Sequence, residues 1–458
     1  MKKIMILAWL AMVLVAANLN AADEPSGTTP DGKTASPSAL AAPVEEPYLL
    51  KNQAYQSSTL FTTKSITRNV MGECTPKVYK GNVYSIYMRK GDEVIMVAKV
   101  PLNGSKAVTL PLTKNERTAP SDNHSLFILT VDRSGYIHVC GGMHSSKINY
   151  WRSDRPEDIS SFTHIAEDDK LPPDTQPCPI AGSITYPLFF SDRHGQLFWT
   201  CVQGCGPLCS YDETKKLWTA LGKPLSTVGA GRNRADNISF YYTDKTKHST
   251  TDTTEVKGGL SKKHFSVAWD SHNRMHMVFG LLYRHTYKGD NASAHTILYA
   301  YSDDGGKTVF KSNGEQIQLP IRTEKGPHQG EVILKEGQGQ AEIAVDKDDR
   351  PMIWFQSKAD HHCVRLESGR WVDYPATPGG KEVSPDPSGV MISKHYGGGF
   401  ARFWPPDGRN SKTIDLPVHG YDREYYRDTG ELVWTSLRGK SDTCSIHRTV
   451  FDRVSKTK

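Results

Sequence analysis

The 458-residue chain carries a formal net charge of +6, two units of which come from Lys2 and Lys3. So mild an excess, with basic residues scattered rather than clustered, excludes a nucleic-acid binder and suits an anionic ligand. Helical 3.6-residue periodicity is hard to find, while Gly, Pro, Tyr and Trp are plentiful and short alternating runs recur along the whole length, so the chain reads as all-β.

Lys2 and Lys3 precede an apolar run from Ile4 to Ala17, and Ala21 or Ala22 offers a small-residue cleavage position. Residues 1–22 therefore read as a secretory signal peptide, and the mature protein is expected to be secreted or periplasmic. Residues 23–46 are rich in Pro, Ser, Thr and Ala with almost no large apolar side chains, which predicts a flexible leader. Residues 47–458 are expected to form one domain, and no later stretch is long and apolar enough to cross a bilayer, so no membrane partner is expected.

The first hairpin is VYSIYMRKGDEVIMVAKV from Val83, with Lys90-Gly91-Asp92 as its turn. The stretch from Asp122 to Asp154 follows, with strands predicted over Phe127 to Val131 and Tyr136 to Val139 around the turn Asp132-Arg133-Ser134-Gly135. His124 enters this hairpin and His144 leaves it, which places both imidazoles at one rim. The same pattern, hydrophobic-Asp-x-x-Gly-x-aliphatic, recurs as SDRHGQLFW at Ser191, WDSHNRMHMVF at Trp269, VDKDDRPMIWF at Val345 and YRDTGELVW at Tyr426. The polar stretch from Asp244 to Lys263 reads as an insertion. Ser302-Asp303-Asp304-Gly305-Gly306-Lys307-Thr308-Val309-Phe310 matches an Asp-box, whose aspartate and glycines serve a surface turn while the aromatic residue packs beneath. Arg152-Ser153-Asp154 through Phe162 reads as a decayed copy. Repeats of roughly 60 residues give about seven blades, so the expected fold is a seven-bladed β-propeller, with a β-sandwich pair or a parallel β-helix as the alternatives.

The segments DNHSLFILTVDRSGYIHVCGGMHSSKINYWRSD and TYPLFFSDRHGQLFW resemble the BNR-repeat propellers that include the seven-bladed ulvan lyases of the PL24 and PL25 type. The resemblance implies cleavage of a uronic-acid-containing, sulfated polysaccharide by β-elimination, using a pair of histidines, a tyrosine and an arginine. By motif position these fall on His124, His144 and Tyr186. The arginine has no counterpart, because the strand continues as Trp199-Thr200-Cys201-Val202-Gln203-Gly204-Cys205. Arg232, Arg234, Arg284 and His264 are the candidates to replace it, and Asn123, Tyr150 and Arg152 are candidate sugar contacts. Trp199 is a further sugar-contact candidate whose blander reading is a place inside a blade.

The chemistry explains the residue types. A base must remove the proton on the carbon beside a uronate carboxylate while cationic or hydrogen-bonding groups stabilise the charge growing on that carboxylate. Tyr186 as a phenolate, or His124, is the candidate base, and His144 with His264 is placed on the carboxylate. The blander readings are a loop histidine bonded to backbone for His124, and packing at a blade end for Tyr186 before Pro187. The rivals in function are a sialidase-like glycoside hydrolase, which needs opposed carboxyl groups, and a catalytically silent carbohydrate-binding propeller.

Eight cysteines in an exported chain predict disulfides, up to four bridges. Cys201, Cys205 and Cys209 form one weak metal-ligand set, and His361, His362 and Cys363 with His328 form another. The resemblance allows a structural zinc or calcium, but the proposed chemistry requires neither. The expected partner is an anionic polysaccharide, and the expected state is a monomer.

Overall fold

The computed structural model describes residues 55–451 apart from 65–75, 115–125, 145, 147, 168–184, 203–207, 225–237, 241–264, 288–289, 323–325, 358–359, 376–380, 386–390, 395–399, 404–411, 415–419, 427–430 and 438–442. The expected signal peptide, the leader and the insertion from Asp244 to Lys263 lie outside the described residues. Among those described, the regular elements are all β-strands, and no helix is long and apolar enough to cross a membrane.

The strands form antiparallel sheets in chain order. Strand β1 (Tyr55–Lys64) is set aside for the last sheet. The first sheet joins β2 (Lys77–Tyr79), β3 (Asn82–Met88), β4 (Val94–Pro101) and β5 (Val108–Lys114). The second joins β6 (Phe127–Val131), β7 (Ile137–Gly141), β8 (Asn149–Ser153) and β9 (Phe162–Glu167). The third joins β10 (Thr185–Ser191), β11 (Leu197–Val202), β12 (Leu208–Asp212) and β13 (Leu217–Leu221), and a short ribbon of β14 (Lys223–Pro224) and β15 (Ile238–Ser239) follows.

A nine-stranded sheet comes next. It contains β16 (Phe265–Trp269), β17 (Met275–Tyr287), β18 (Asp290–Ser302), β19 (Val309–Phe310), β20 (Gln316–Ile317), β21 (Glu331–Val345), β22 (Pro351–Ser357), β23 (Asp360–Glu367) and β24 (Arg370–Pro375). Then β25 (Lys381–Pro385), β26 (Met391–Lys394), β27 (Phe400–Phe403) and β28 (Lys412–Ile414) form a further sheet. The last sheet is β29 (Gly420–Tyr426), β30 (Glu431–Leu437) and β31 (Thr443–Phe451), completed by β1, which pairs with β31 from Tyr55↔Phe451 to Lys64↔Thr443.

The result is an all-β, propeller-like arrangement of six large sheets among the described residues, where seven separate ones were expected. The difference arises at β21. Its first part pairs with β18 as far as Gly337, and its second part, from Gln338 to Val345, pairs with β22, so one strand belongs to two ladders.

The sheets are buried on both faces because each packs against the next. Tyr84, Ile86 and Met88 of β3 join residues of β6, β7, β8 and β11 in one core, while the alternate residues Val83 and Tyr87 face Val433, Cys444 and Ile446 of the last sheet. Phe198, Leu208 and Leu221 pack on Phe265, Met275 and Phe279, and Val278, Ile297 and Tyr299 pack on Ile343, Val345 and Ile353. This explains why β6 and β7 are buried at every position rather than alternately. Each side chain removed fully from water contributes about 1.5–3 kcal/mol.

The recurring aspartate builds the turn at one end of four hairpins, while the turn of YRDTGELVW lies outside the described residues. Its Oδ1 accepts from Tyr136 N at 2.8 Å in the Asp132 turn, from His194 N and Gln196 N at 2.8 Å in the Asp192 turn, and from Arg274 N at 2.8 Å in the Asp270 turn. In the Asp346 turn it accepts from Asp348 N and Arg350 N, both at 2.9 Å. The fourth turn residue is left-handed each time, with φ of 92° at Gly135, 79° at Gly195, 64° at Asn273 and 62° at Asp349. Only Gly, Asn and Asp adopt that conformation readily, so the later turns can lose their glycine. The hairpin VYSIYMRKGDEVIMVAKV, by contrast, joins the second and third strands of its sheet. The equivalent first turn lies at Lys80-Gly81.

These turns also bond to one another. Tyr79 Oη donates to Arg133 O at 2.8 Å, and Arg133 Nε donates to Glu213 Oε1 at 2.7 Å in the next sheet. Asn273 Nδ2 donates to Asp192 Oδ2 at 2.9 Å, Arg193 N donates to Asn273 Oδ1 at 3.0 Å, and Ser271 N donates to Asp349 Oδ1 at 2.7 Å.

The Asp-box is architectural. Asp304 accepts from Thr308 N and Thr308 Oγ1, both at 2.8 Å, Gly306 N donates to Ser302 Oγ at 2.7 Å, and Phe310 stacks on Tyr301. In the decayed copy, Asp154 still accepts from Ser161 and, at 2.6 Å, from Thr163.

The cysteines correct the disulfide expectation. Cys140, Cys201 and Cys363 are buried and carry no disulfide, so four bridges cannot form. Of the described cysteines, Cys209 and Cys444 alone are disulfide-bonded. Of the first metal set, Cys201 and Cys209 both lie in the buried core, and Cys209 is disulfide-bonded. Cys363 is buried beside Trp354, whereas its neighbour His362 stacks on Phe355 and pairs with Asp373, and His328 bonds Gln318 O at 3.0 Å. Cys205 lies outside the described residues, as does the side chain of His361. Among the described residues no group of three or more His, Cys, Asp and Glu side chains is placed to hold a metal.

Asp192→Ala removes acceptors for two turn amides and for Asn273 together. It should lower the free energy of unfolding by about 1–3 kcal/mol, read from the urea midpoint.

Candidate functional site

The latched turns occupy one end of the sheets, and the candidate site is at the other. Strand β6 begins at Phe127 opposite Gly141, the last residue of β7, so the segment following Gly141 emerges at the end away from Asp132. Strand β10 begins at Thr185 opposite Val202 and runs toward the Asp192 turn in the same sense, beside β6. His144, three residues past β7, and Tyr186, second in β10, thus stand at the same end of two neighbouring sheets. Strand β17 outruns its partner β16, since Phe265 pairs with Phe279, and its last eight residues, Gly280–Tyr287, include Arg284. Arg284 is therefore also at the end opposite the turns.

His144 is exposed and stands on a buried base. Gly141 lies so close to β6 that a Cβ there would sit 2.5 Å from Phe127 Cα, and Gly142 has φ of +71° with its own Cβ position 2.9 Å from Phe127 Cζ. The two glycines permit this close approach of backbone to Phe127. Gly142 N donates to Leu126 O at 3.3 Å. Asn149 holds the other side, donating from Nδ2 to Gly141 O at 2.9 Å and from its backbone N to Met143 Sδ at 3.1 Å. His164 Nε2 in turn donates to Asn149 Oδ1 at 2.8 Å, and its ring stacks on Trp151 at 4.3 Å.

His124, Asn123, Arg232, Arg234 and His264 lie outside the described residues, and Tyr186 and Arg284 are placed by their backbone.

Tyr150 and Arg152 are not at this end as exposed sugar contacts. Tyr150 is 2% exposed, and its hydroxyl is 2.6 Å from His138 Nδ1. Arg152 pairs across the ladder with His138, near the Asp132 turn, and donates to Tyr211 Oη at 3.0 Å and Lys216 O at 3.3 Å. Trp199 is buried within its sheet. Both Tyr150 and His138 belong to a buried chain that the sequence reading missed. His138 Nε2 donates to Asp132 Oδ2 at 3.1 Å and Nδ1 accepts from Tyr150. The set repeats in the nine-stranded sheet, where His276 Nδ1 accepts from Tyr299 Oη at 2.7 Å and Nε2 faces Asp270 Oδ2 at 3.5 Å. The signal was available as Asp-x5-His in both VDRSGYIHV and WDSHNRMHM. Duplication in two sheets, each copy buried, marks the set as architecture. Burial holds the Tyr150 and Tyr299 hydroxyls well above the usual phenol range, so both stay protonated.

A family profile described as a BNR repeat-containing family member matches residues 82–377. No curated protein matches the sequence significantly. The crystal structure of the polysaccharide lyase Uly1 superposes with a TM-score of 0.57 at 14% identity, covering 82% of this chain and 89% of that one. The glycoside hydrolase family 93 alpha-L-arabinofuranosidase of Fusarium graminearum, in complex with arabinobiose, gives a TM-score of 0.38 at 8% identity over 86% of this chain and 97% of that one. At such identities the first likeness speaks to fold alone, and the second superposition is too loose to carry an argument.

The buried histidine gives the fold a pH dependence. Burial lowers the His138 pKa below its ordinary 6.5, a larger effect than the opposing pull of Asp132. Below pH 6.5 the unfolded chain therefore binds a proton that the folded chain refuses, and stability falls as pH drops from 6.5 toward the depressed folded value. The urea midpoint should decline over that window in the wild type, and His138→Gln should flatten part of the decline.

Proposed function

This chain belongs to the BNR repeat-containing family, and on that premise we propose that it is an exported polysaccharide lyase that cleaves a uronic-acid-containing polymer by β-elimination. The observation that carries the reading is the exposed His144, presented from a buried Gly-Gly-Met base at the end of the sheets where Tyr186 and Arg284 are also placed. The fold likeness to Uly1, itself a polysaccharide lyase, supports it. So does the resemblance of the segment from Asp122 to Asp154 to ulvan lyases. Each ladder of β21 is read as its own blade, which makes seven.

In this mechanism Tyr186 takes the proton from the carbon beside the uronate carboxylate, with His124 as the competing base. The electron pair left behind forms the new ring double bond and expels the glycosidic oxygen of the neighbouring sugar, which receives the proton from the phenol. His144, with His264, hydrogen-bonds the carboxylate as negative charge grows on it, and Arg284, Arg232 or Arg234 supplies the cation. A phenolate base needs such cations, because the ordinary tyrosine pKa is about 10. The mildly positive chain favours an anionic polymer.

Incubation of the purified protein with ulvan and other polyuronates, followed by the absorbance of the unsaturated product, tests the reading. A lyase generates that chromophore, a hydrolase generates reducing ends without it, and a binding protein generates neither. His124→Ala, His144→Ala and Tyr186→Phe should each lower kcat/KM by about 10²- to 10⁴-fold with the melting temperature unchanged. Near-normal turnover in all three would overturn the assignment.

A further inference from the structure

We infer that Asn149 and His164 are positioning residues that fix where the His144 imidazole stands. The segment Gly141–Met143 leads directly into His144, and its two sides are held by different means. On the β6 side the glycines press against Phe127, with Gly142 N bonded to Leu126 O. Asn149 supplies the other side through Gly141 O and Met143 Sδ.

Asn149 is 4% exposed, and the direction of its amide is set from outside. Because Nδ2 donates to Gly141 O, Oδ1 must accept, and the group that donates to it is His164 Nε2, on the neighbouring strand β9. The His164 ring is fixed in turn by stacking on Trp151 at an interplanar angle of 11°. A rotation of the amide would turn Nδ2 toward His164 and leave Gly141 O without its donor. The path from Trp151 to His164 to Asn149 to the backbone ahead of His144 thus consists of one stack and two hydrogen bonds. Displacements of about 1 Å in a reacting group cost on the order of 10²-fold in rate, so such a support is kinetically significant.

The kinetic arm of the test rests on the lyase reading, and the spectroscopic arm does not. In histidine-labelled protein, with the His144 resonance assigned by its loss in His144→Asn, Asn149→Ala should shift and broaden that resonance. It should also lower kcat about 10- to 100-fold with KM changed less than about threefold. His164→Phe keeps a ring to stack on Trp151 but removes the donor. It should move the same resonance and lower kcat in the same sense at an unchanged melting temperature, whereas His164→Gln, which retains an N–H donor, should restore much of both. A His144 resonance with wild-type position, width and titration in Asn149→Ala and His164→Phe overturns the inference. So does an unchanged kcat in an active enzyme. If the wild type forms no unsaturated product, the lyase reading fails and the resonance alone decides the positioning role.

Discussion

The structure depends on a carboxylate turned inward on its own turn. Asp132, Asp192, Asp270 and Asp346 each use Oδ1 to close a turn. Their Oδ2 atoms reach farther: that of Asp192 to Asn273 of the next turn, that of Asp132 to His138, that of Asp270 toward His276, and that of Asp346 to Arg350 and Arg365. Local turn chemistry and contact between sheets are therefore served by the same side chains. Residues about 80 positions apart in sequence become neighbours through a few short polar groups, while the apolar faces between the sheets supply most of the burial energy.

Anchoring one end frees the other. The segments leaving β7 and entering β10 are not used to tie sheet to sheet through the repeated aspartates, so their residues can be chosen for chemistry. The base beneath His144 shows how rigidity is kept without a latch. Glycine lets backbone approach an aromatic ring, and a buried amide holds the carbonyl that the approach exposes. This division between a latched end and an open one fits a scaffold built from repeats, whose shared pattern leaves the connections free to differ.

Much of the support was legible in the sequence, because its chemistry is local. Asp at the first turn position and Gly, Asn or Asp at the fourth follow from side-chain-to-amide bonding and from the cost of left-handed backbone. The Asp-box could be read for the same reason. The strands of the Asp122 to Asp154 unit came close, with β7 running two residues further than expected, to Gly141. What could not be read was which neighbour a side chain meets when both faces of a sheet are buried. Tyr150 and Arg152 look alike as polar aromatic and basic candidates and, two apart in β8, both face the next sheet, but the Tyr150 hydroxyl ends on His138 in the packed interior whereas Arg152 reaches Tyr211 Oη and Lys216 O. The cysteines failed as a guide because an even count carries no distances, and a disulfide needs Cα atoms about 4.4–6.8 Å apart. The number of sheets was obscured by β21, a continuous strand that changes partner at Gln338, where Gly337 and Gly339 are the mark in the sequence.

The pairing of β1 with β31 has a consequence for how the chain acquires its shape. Residues 388 positions apart, Thr59 and His447, share a hydrogen bond at 3.1 Å, and the Trp434 ring lies 4.1 Å from that same imidazole. During synthesis β1, the first of the described strands, waits for β31, the last of them, and until then an unpaired edge is open to any other chain that can supply a strand. Folding of this ring is thus governed less by how fast its individual hairpins form than by when its two distant ends first meet.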